Sequence, residues 1–237
     1  GTVCGYNSVA RGQVGEHGPQ TGHYDSLPQA TLYPDPIGLP APLEAPPHDM
    51  WPRKPGVFIR KASGDEAAGR ELVAGQFGLV PPWVKSASDA KLRSPKLVTA
   101  RSETVTTSKN FRDAWLNGQR CIVPMMAFFE DDLRSGKAVP TRIARVDGQP
   151  MGLAGLWERW VGADGAEIVS FTLLTLNANN HALMHRYQHP GSEKRMPVIL
   201  GEGAYDAWLN VAHPEKAREF LRPYAANWLT ANPVEKK

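Results

Sequence analysis

The chain has 237 residues, with 27 Lys and Arg against 24 Asp and Glu, a formal charge of +3 with histidine neutral, and 41% hydrophobic residues. That composition fills a sizeable core and excludes wholesale disorder, and no apolar run approaches the roughly 20 residues that cross a bilayer. The opening Gly-Thr-Val-Cys has neither the basic nor the apolar region of a secretion signal, and two cysteines are too few for a disulfide framework, so a reducing, cytoplasmic setting is expected.

The first unusual composition lies in residues 27–56, which hold nine of the 21 prolines. That spacing forbids helix and central strand alike and reads as an ordered surface loop draped over one core. Short apolar, partly β-branched runs follow at Gly56–Arg60 and Leu72–Val80, a paired couple of strands. Further strands are expected at Arg120–Pro124, Ala127–Glu130, Thr141–Val146, Met151–Trp157, Ile168–Thr175 and Met196–Leu200. Asp147-Gly148 and Asp164-Gly165 are turn dipeptides between neighbouring strands, the mark of antiparallel hairpins. Helices are expected at Asn110–Leu116, Asn179–Tyr187, Tyr205–Val211 and Pro214–Leu221, leaving 222–237 as a C-terminal tail. Hairpins that outnumber peripheral helices predict an α+β fold, a single domain over 1–237 with a curved, largely antiparallel, barrel-like sheet. No internal repeat and no glycine-rich phosphate loop is present, so nucleotide-cofactor binding through such loops is not supported.

Several residues carry candidate chemistry. Cys4 is a candidate thiol near the chain start, whereas Cys121 sits in an apolar run and reads as core. Glu130 closes the run Met125–Phe129; carried into the interior, its carboxyl would be suited to proton transfer, and left at a strand end it would be an ordinary solvated acid. His181, His185 and His189 are spaced by four, so a continuous helix would stack them on one face. No H-E-x-x-H pattern accompanies them, so proton donation or phosphate contact is favoured over a metal. Aromatic and basic residues interleave from Phe77 through Trp83 to Arg101, a composition that can stack bases and neutralise phosphates or equally plug a core beside a basic loop.

In order along the chain, Cys4-Gly5, Phe77-Gly-Leu-Val-Pro-Pro-Trp83, Thr99-Ala-Arg-Ser-Glu-Thr104, Arg120 to Glu130, Ala154-Gly-Leu-Trp157 and Lys194-Arg-Met-Pro-Val-Ile-Leu200 resemble the SRAP family, the SOS response-associated peptidase fold that handles abasic DNA. The resemblance implies one chemical task. An N-terminal cysteine offers an amine and a thiol to the aldehyde of an opened abasic sugar, giving a Schiff base that closes to a thiazolidine crosslink. By that resemblance Cys4 is the nucleophile, Glu130 exchanges protons, and His189, or His185, assists ring opening or reversal. Thr99 stands where the motif has Asn. Arg101 would grip a phosphate, Trp83 with Pro81 and Pro82 would wedge against bases, and Phe77 and Ser102 complete the DNA-contact set. The implied partner is single-stranded DNA containing abasic sites. No cofactor, no metal and no membrane are implied, and the expected state is a monomer in the cytoplasm, nucleoid-associated in a bacterium or phage-infected cell, with autopeptidase activity as a further trait.

Three departures from the pattern shape this expectation. Gly1-Thr2-Val3 precede Cys4, so its nitrogen is an amide until they are gone; they read as a leftover leader, an alternative start or a segment for self-removal. Tyr6 replaces an Arg of the motif, and Gly191–Lys194 separates His189 from Arg195-Met-Pro. The rival readings are a non-covalent single-stranded DNA module and a thiol hydrolase using Cys4 and His189.

Overall fold

In the computed structural model, residues 22–63 and 69–234 are described. Cys4 and Tyr6 lie outside them. The strands in chain order are β1 (Tyr24–Asp25), β2 (Asp49–Met50), β3 (Pro55–Lys61), β4 (Arg70–Phe77), β5 (Thr99–Arg101), β6 (Arg120–Met125), β7 (Ala127–Asp132), β8 (Val139–Arg145), β9 (Met151–Val161), β10 (Glu167–Asn177), β11 (Arg195–Pro197), β12 (Ile199–Leu200) and β13 (Leu229–Pro233). Short helices α1 (Ala87–Arg93), α2 (Arg112–Leu116), α3 (Tyr205–Asn210) and α4 (Pro214–Ala217) are peripheral.

The class is α+β, mostly sheet, as expected. Strand β10 pairs with β4, β4 with β3, β3 with β6, β6 with β9, and β9 returns to β10, closing a five-stranded barrel. A second sheet runs β13-β8-β7-β1-β2. Among the described residues all ladders are antiparallel except those of β10 with β4 and with β5. Residues 151–156 of β9 are buried without alternation, as a strand covered on both faces must be, and alternation begins only at Trp157. One apolar cluster containing Tyr24, Phe58, Phe77, Phe128 and Phe171 joins the two sheets; another, around Trp115, Trp208, Ile122 and Leu156, seats α2 and α3 on the barrel. Cys121 is buried in the first of these clusters, and burial pushes its thiol pKa well up, which makes it inert.

Several expectations are corrected. Residues 179–187 form turns and one 3₁₀ turn (Met184–Arg186) instead of a helix. Side chains there take the bonds a helix would need: Asn177 Oδ1 accepts from Asn179 N, and His181 Nδ1 accepts from Leu183 N and Met184 N. Strand Met196–Leu200 breaks at Val198, because β11 pairs with β10 while β12 pairs with β9. Asp147-Gly148 makes a turn but no hairpin: β8 belongs to the second sheet and β9 to the barrel, so the turn passes the chain between sheets. The tail contributes β13, whose Leu229 is buried against the core. The proline-rich stretch is ordered, pinned by buried Tyr33, Ile37 and Met50, and its one internal strand, β2, lies at a sheet edge where missing donors are tolerated.

Candidate functional site

The C-terminal half of β10 is flanked by two of the motif segments. On one side β5 runs parallel to it, Thr99 facing Leu173 and Arg101 facing Thr175; on the other β11 is antiparallel, Arg195 facing Asn177. Four charged side chains meet there. Arg195, 2% exposed, donates Nη2 to Glu103 Oε2 at 2.7 Å and Nη1 to Glu193 Oε1 at 3.1 Å, and its Nη2 also reaches Thr175 O at 3.0 Å. Arg101, half-buried, donates Nη1 to Glu193 Oε2 at 2.8 Å.

The electrostatics follow from these bonds. The Arg101 hydrogen bond holds the Glu193 carboxyl down at about 2 despite some burial, with help from Asn177 Nδ2 at 2.9 Å. For Glu103, burial alone would raise the pKa, but the bidentate Arg195 pair more than offsets it and the net shift is down. Arg101 is raised in turn, chiefly by Glu193. Two guanidiniums and two carboxylates thus balance.

Glu130 enters this cluster from the second sheet. It sits near the end of β7, 5% exposed, and its Oε2 accepts from Gln188 Nε2 at 3.3 Å. The same Gln188 amide is doubly tied to Arg195: Nε2 donates to Arg195 O and Oε1 accepts from Arg195 N, both at 3.0 Å. Its backbone N–H donates to Asp131 O at 2.8 Å, and its φ of +69° is a left-handed conformation that Gln rarely adopts. A strained, buried glutamine therefore splices the strand carrying Glu130 to the strand carrying Arg195.

The expected site residues divide. Arg101 and Thr99 lie on β5 beside this cluster and Glu130 reaches it from β7 through Gln188, whereas Arg195 at its centre was not among the expected residues. His189 is exposed, and its backbone carbonyl accepts from Lys194 Nζ at 2.6 Å; its imidazole lies close enough to Asp131 to oppose the upward push that desolvation gives that carboxyl. His185 is also exposed, its Nδ1 donating to His181 O at 2.7 Å, so with no helix the three histidines share no face. Cys4 falls outside the described residues.

Among the DNA-contact candidates, Trp83 is half-buried, with Lys109 Nζ 4.0 Å and Arg93 Cζ 4.7 Å from its ring centroid, and Pro82 is exposed. The rest need correction. Phe77 is fully buried and packs on Tyr24 and Phe171, so the ring is spent on the core. Pro81 is buried and cannot wedge against a base. Ser102 is 3% exposed; its N–H donates to Thr175 O and its carbonyl accepts from Arg218, so it fixes backbone instead of facing a ligand. Gln188, Glu103, Glu193 and Lys194 were missed as site residues. A signal existed for one pair: Glu103 and Arg195 carry opposite charges in two of the quoted motif segments.

Comparison with known proteins gives the family and the fold. The SOS response associated peptidase (SRAP) family matches residues 38–237. The abasic site processing protein YoaM of Bacillus subtilis is 33% identical over 162 residues, covering 67% of this chain and 66% of that protein. The abasic site processing protein HMCES of Gallus gallus is 25% identical over 180 residues, covering 67% of this chain and 51% of that protein. The chain thus spans about two thirds of the length of its bacterial relative and half that of the vertebrate one. A crystal structure of a Bordetella bronchiseptica protein superposes with a TM-score of 0.81 at 42% identity, covering 91% of this chain and all of that one. With three of the motif segments meeting at one cluster and the family match running through nearly all the described residues, the chain belongs to the SOS response associated peptidase family.

Proposed function

We propose that this chain captures abasic sites in single-stranded DNA as a covalent thiazolidine formed by Cys4. The observation that carries the reading is the buried Glu130 carboxylate, oriented by Gln188 and joined through it to the Arg195 and Arg101 cluster. A carboxyl so placed serves general acid–base chemistry, and the half-buried Arg101 at the far side of the same cluster suits a phosphate. Relatives named as abasic site processing proteins point the same way.

The steps balance without a cofactor. The amine of Cys4 adds to the sugar aldehyde carbon; Glu130 gives a proton to the departing hydroxyl, which leaves as water, and an imine remains. The sulfur then adds to the imine carbon and the thiol proton passes to nitrogen, closing the ring. This requires a chain that begins at Cys4, since with residues 1–3 attached its nitrogen is a non-basic amide. His189, beside Asp131, is the histidine assigned to assist opening or reversal of the sugar. Pro82 and Trp83 form the aromatic and apolar edge for flanking bases, with Lys109 and Arg93 supplying positive charge.

The test is incubation of the chain, trimmed to start at Cys4, with a single-stranded oligonucleotide bearing one abasic site, read by denaturing gel and intact mass. A heat-stable adduct of one protein and one strand is expected. Cys4→Ala abolishes it and Glu130→Gln slows it by about 10²-fold. An undiminished adduct from Cys4→Ala would overturn the assignment.

A further inference from the structure

We propose that the β1–β2 hairpin carries a divalent transition-metal site of the zinc class, built from His23, Asp25 and Asp49 with His48 as a fourth donor. It lies outside the cluster above and does not depend on the abasic-site reading.

The pairing register sets the problem that a metal would solve. Asp25 faces Asp49 directly across the antiparallel β1–β2 ladder, and two carboxylates so placed repel. One rung along, the register of β1 with β2 and β7 places His23 between Trp51 and Phe129. The imidazole is stacked on both rings, 3.9 Å from Trp51 at an interplanar angle of 7° and 4.1 Å from Phe129 at 11°. A ring held on both faces cannot swing, and its Nε2 is fixed 3.0 Å from Asp49 Oδ1.

Asp25 is oriented from the other side. Its strand neighbour on β7 is the small Ala127, and Arg142 on β8 donates Nε to Asp25 Oδ2 at 3.1 Å. The remaining oxygen, Oδ1, is buried and has no hydrogen-bond partner among the described residues, on a side chain that is 6% exposed. His48 Nε2 stands 3.6 Å from it, beyond hydrogen-bond reach, on an exposed side chain that would close on the other three donors to share an ion with them. A buried carboxylate oxygen left without a donor is costly, so it points to a ligand.

The ligand atoms of His23, Asp25 and Asp49 all lie within 4.8 Å of one another. Metal–ligand bonds of about 2.0–2.2 Å draw such a set around one ion with a small movement of Asp49, whose side chain is exposed and paired with His23. Two imidazoles and two carboxylates favour zinc, cobalt or nickel over magnesium or calcium, and a dipositive ion cancels the two acids that face each other. Arg142 then acts as the outer partner that holds a ligating carboxylate in place.

The experiment titrates the full chain, stripped with a chelator, with Zn²⁺ by calorimetry and with Co²⁺ by visible absorption, and follows thermal unfolding with and without Zn²⁺. One ion per chain is expected, with cobalt bands that lack sulfur charge-transfer absorption and a zinc-dependent rise in Tm. Asp49→Asn alters an exposed ligand and leaves the core untouched; it and His23→Gln should each weaken binding tenfold or more. Without metal, Asp49→Asn should unfold no earlier than the parent, because the facing-charge repulsion is gone. Absence of stoichiometric binding, binding that survives both substitutions, or binding lost on thiol alkylation would each overturn the site. The DNA adduct assay is read separately, so either proposal can fail alone.

Discussion

Replacing Gln188 by Glu tests the splice between Glu130 and Arg195 with almost no change of shape. The introduced carboxyl would keep the oxygen that accepts from Arg195 N but would lose the amide that donates to Glu130 Oε2 and to Arg195 O. Two carboxylate oxygens would then stand 3.3 Å apart in a buried setting. With an effective dielectric constant of about 20, full charges at that separation repel by about 5 kcal/mol, an upper figure. The pair therefore keeps one proton well into the neutral range, the upper figure being equivalent to about four pH units. A folded-state pKa raised above the unfolded one means that the folded chain binds the extra proton, so stability falls as pH rises. The variant should match the parent near pH 4 and fall behind it by about 3 kcal/mol near pH 8 in urea unfolding, the usual cost of an unmet buried charge. Adduct formation should show the same signature, its pH profile displaced upward because the introduced carboxyl shares a proton with Glu130. A variant whose stability deficit is the same at pH 4 and pH 8, with an unmoved pH profile, would refute the coupling.

Glu193→Gln should remove stability present at neutral pH and leave none to lose in acid. The Glu193 carboxyl is held at about 2, below its ordinary value, so its contribution is complete above pH ~4.5 and lost as pH falls toward 2. Because the side chain is 37% exposed, screening limits the difference at pH 7 to about 1 kcal/mol, and urea midpoints of parent and variant should converge near pH 2.5. Gly78→Ala should lower unfolding free energy by about 3 kcal/mol, since φ is +115° and an added Cβ would sit 2.4 Å from the Ser94 carbonyl oxygen; an unchanged urea midpoint would mean the 78–94 loop yields freely. Trp83→Ala should weaken single-stranded DNA binding about tenfold in fluorescence titration, the value of one stacked base, without changing the salt slope set by Lys109 and Arg93. A changed slope with unchanged affinity would deny Trp83 the stacking role.

The strands were readable because each runs through apolar, β-branched residues stopped by Gly, Asp or Pro, and the ladders from β3 to β10 fall where those runs predict. What failed was local competition. The 179–187 stretch has helical histidine spacing, but the bonds made by Asn177 and His181 to nearby backbone win over the helix. Helix α1 was missed although Ser86 and Asp89 spell its start, Ser86 Oγ accepting from Asp89 N at 3.1 Å. The basic and aromatic composition around it drew the reading toward a ligand surface first. Phe77, Pro81 and Ser102 were misassigned for one reason: a motif marks residues that keep a segment in place as well as residues that touch a ligand, and sequence does not say which. The metal donors were invisible because His23 and Asp25 meet His48 and Asp49 only through β1–β2 pairing across the proline-rich stretch.

On the proposed reading, the charge balance of the cluster determines how a DNA strand would meet it. Arg101 and Arg195 share Glu193, while Glu103 and Thr175 hold Arg195 alone. A phosphate arriving at the half-exposed Arg101 must therefore displace Glu193 and not Glu103, since the latter exchange would uncover a guanidinium that is 2% exposed. Glu193 is the mobile counterion of the pair: bound to both arginines in the free chain, replaceable at one of them, and still tethered to Arg195 and Asn177 when it yields. Because Glu193 stays tethered nearby, a phosphate bound at Arg101 adds a negative charge to a cluster that was balanced, so on the proposed reading the Glu130 carboxyl is harder to ionise with a strand bound than without one.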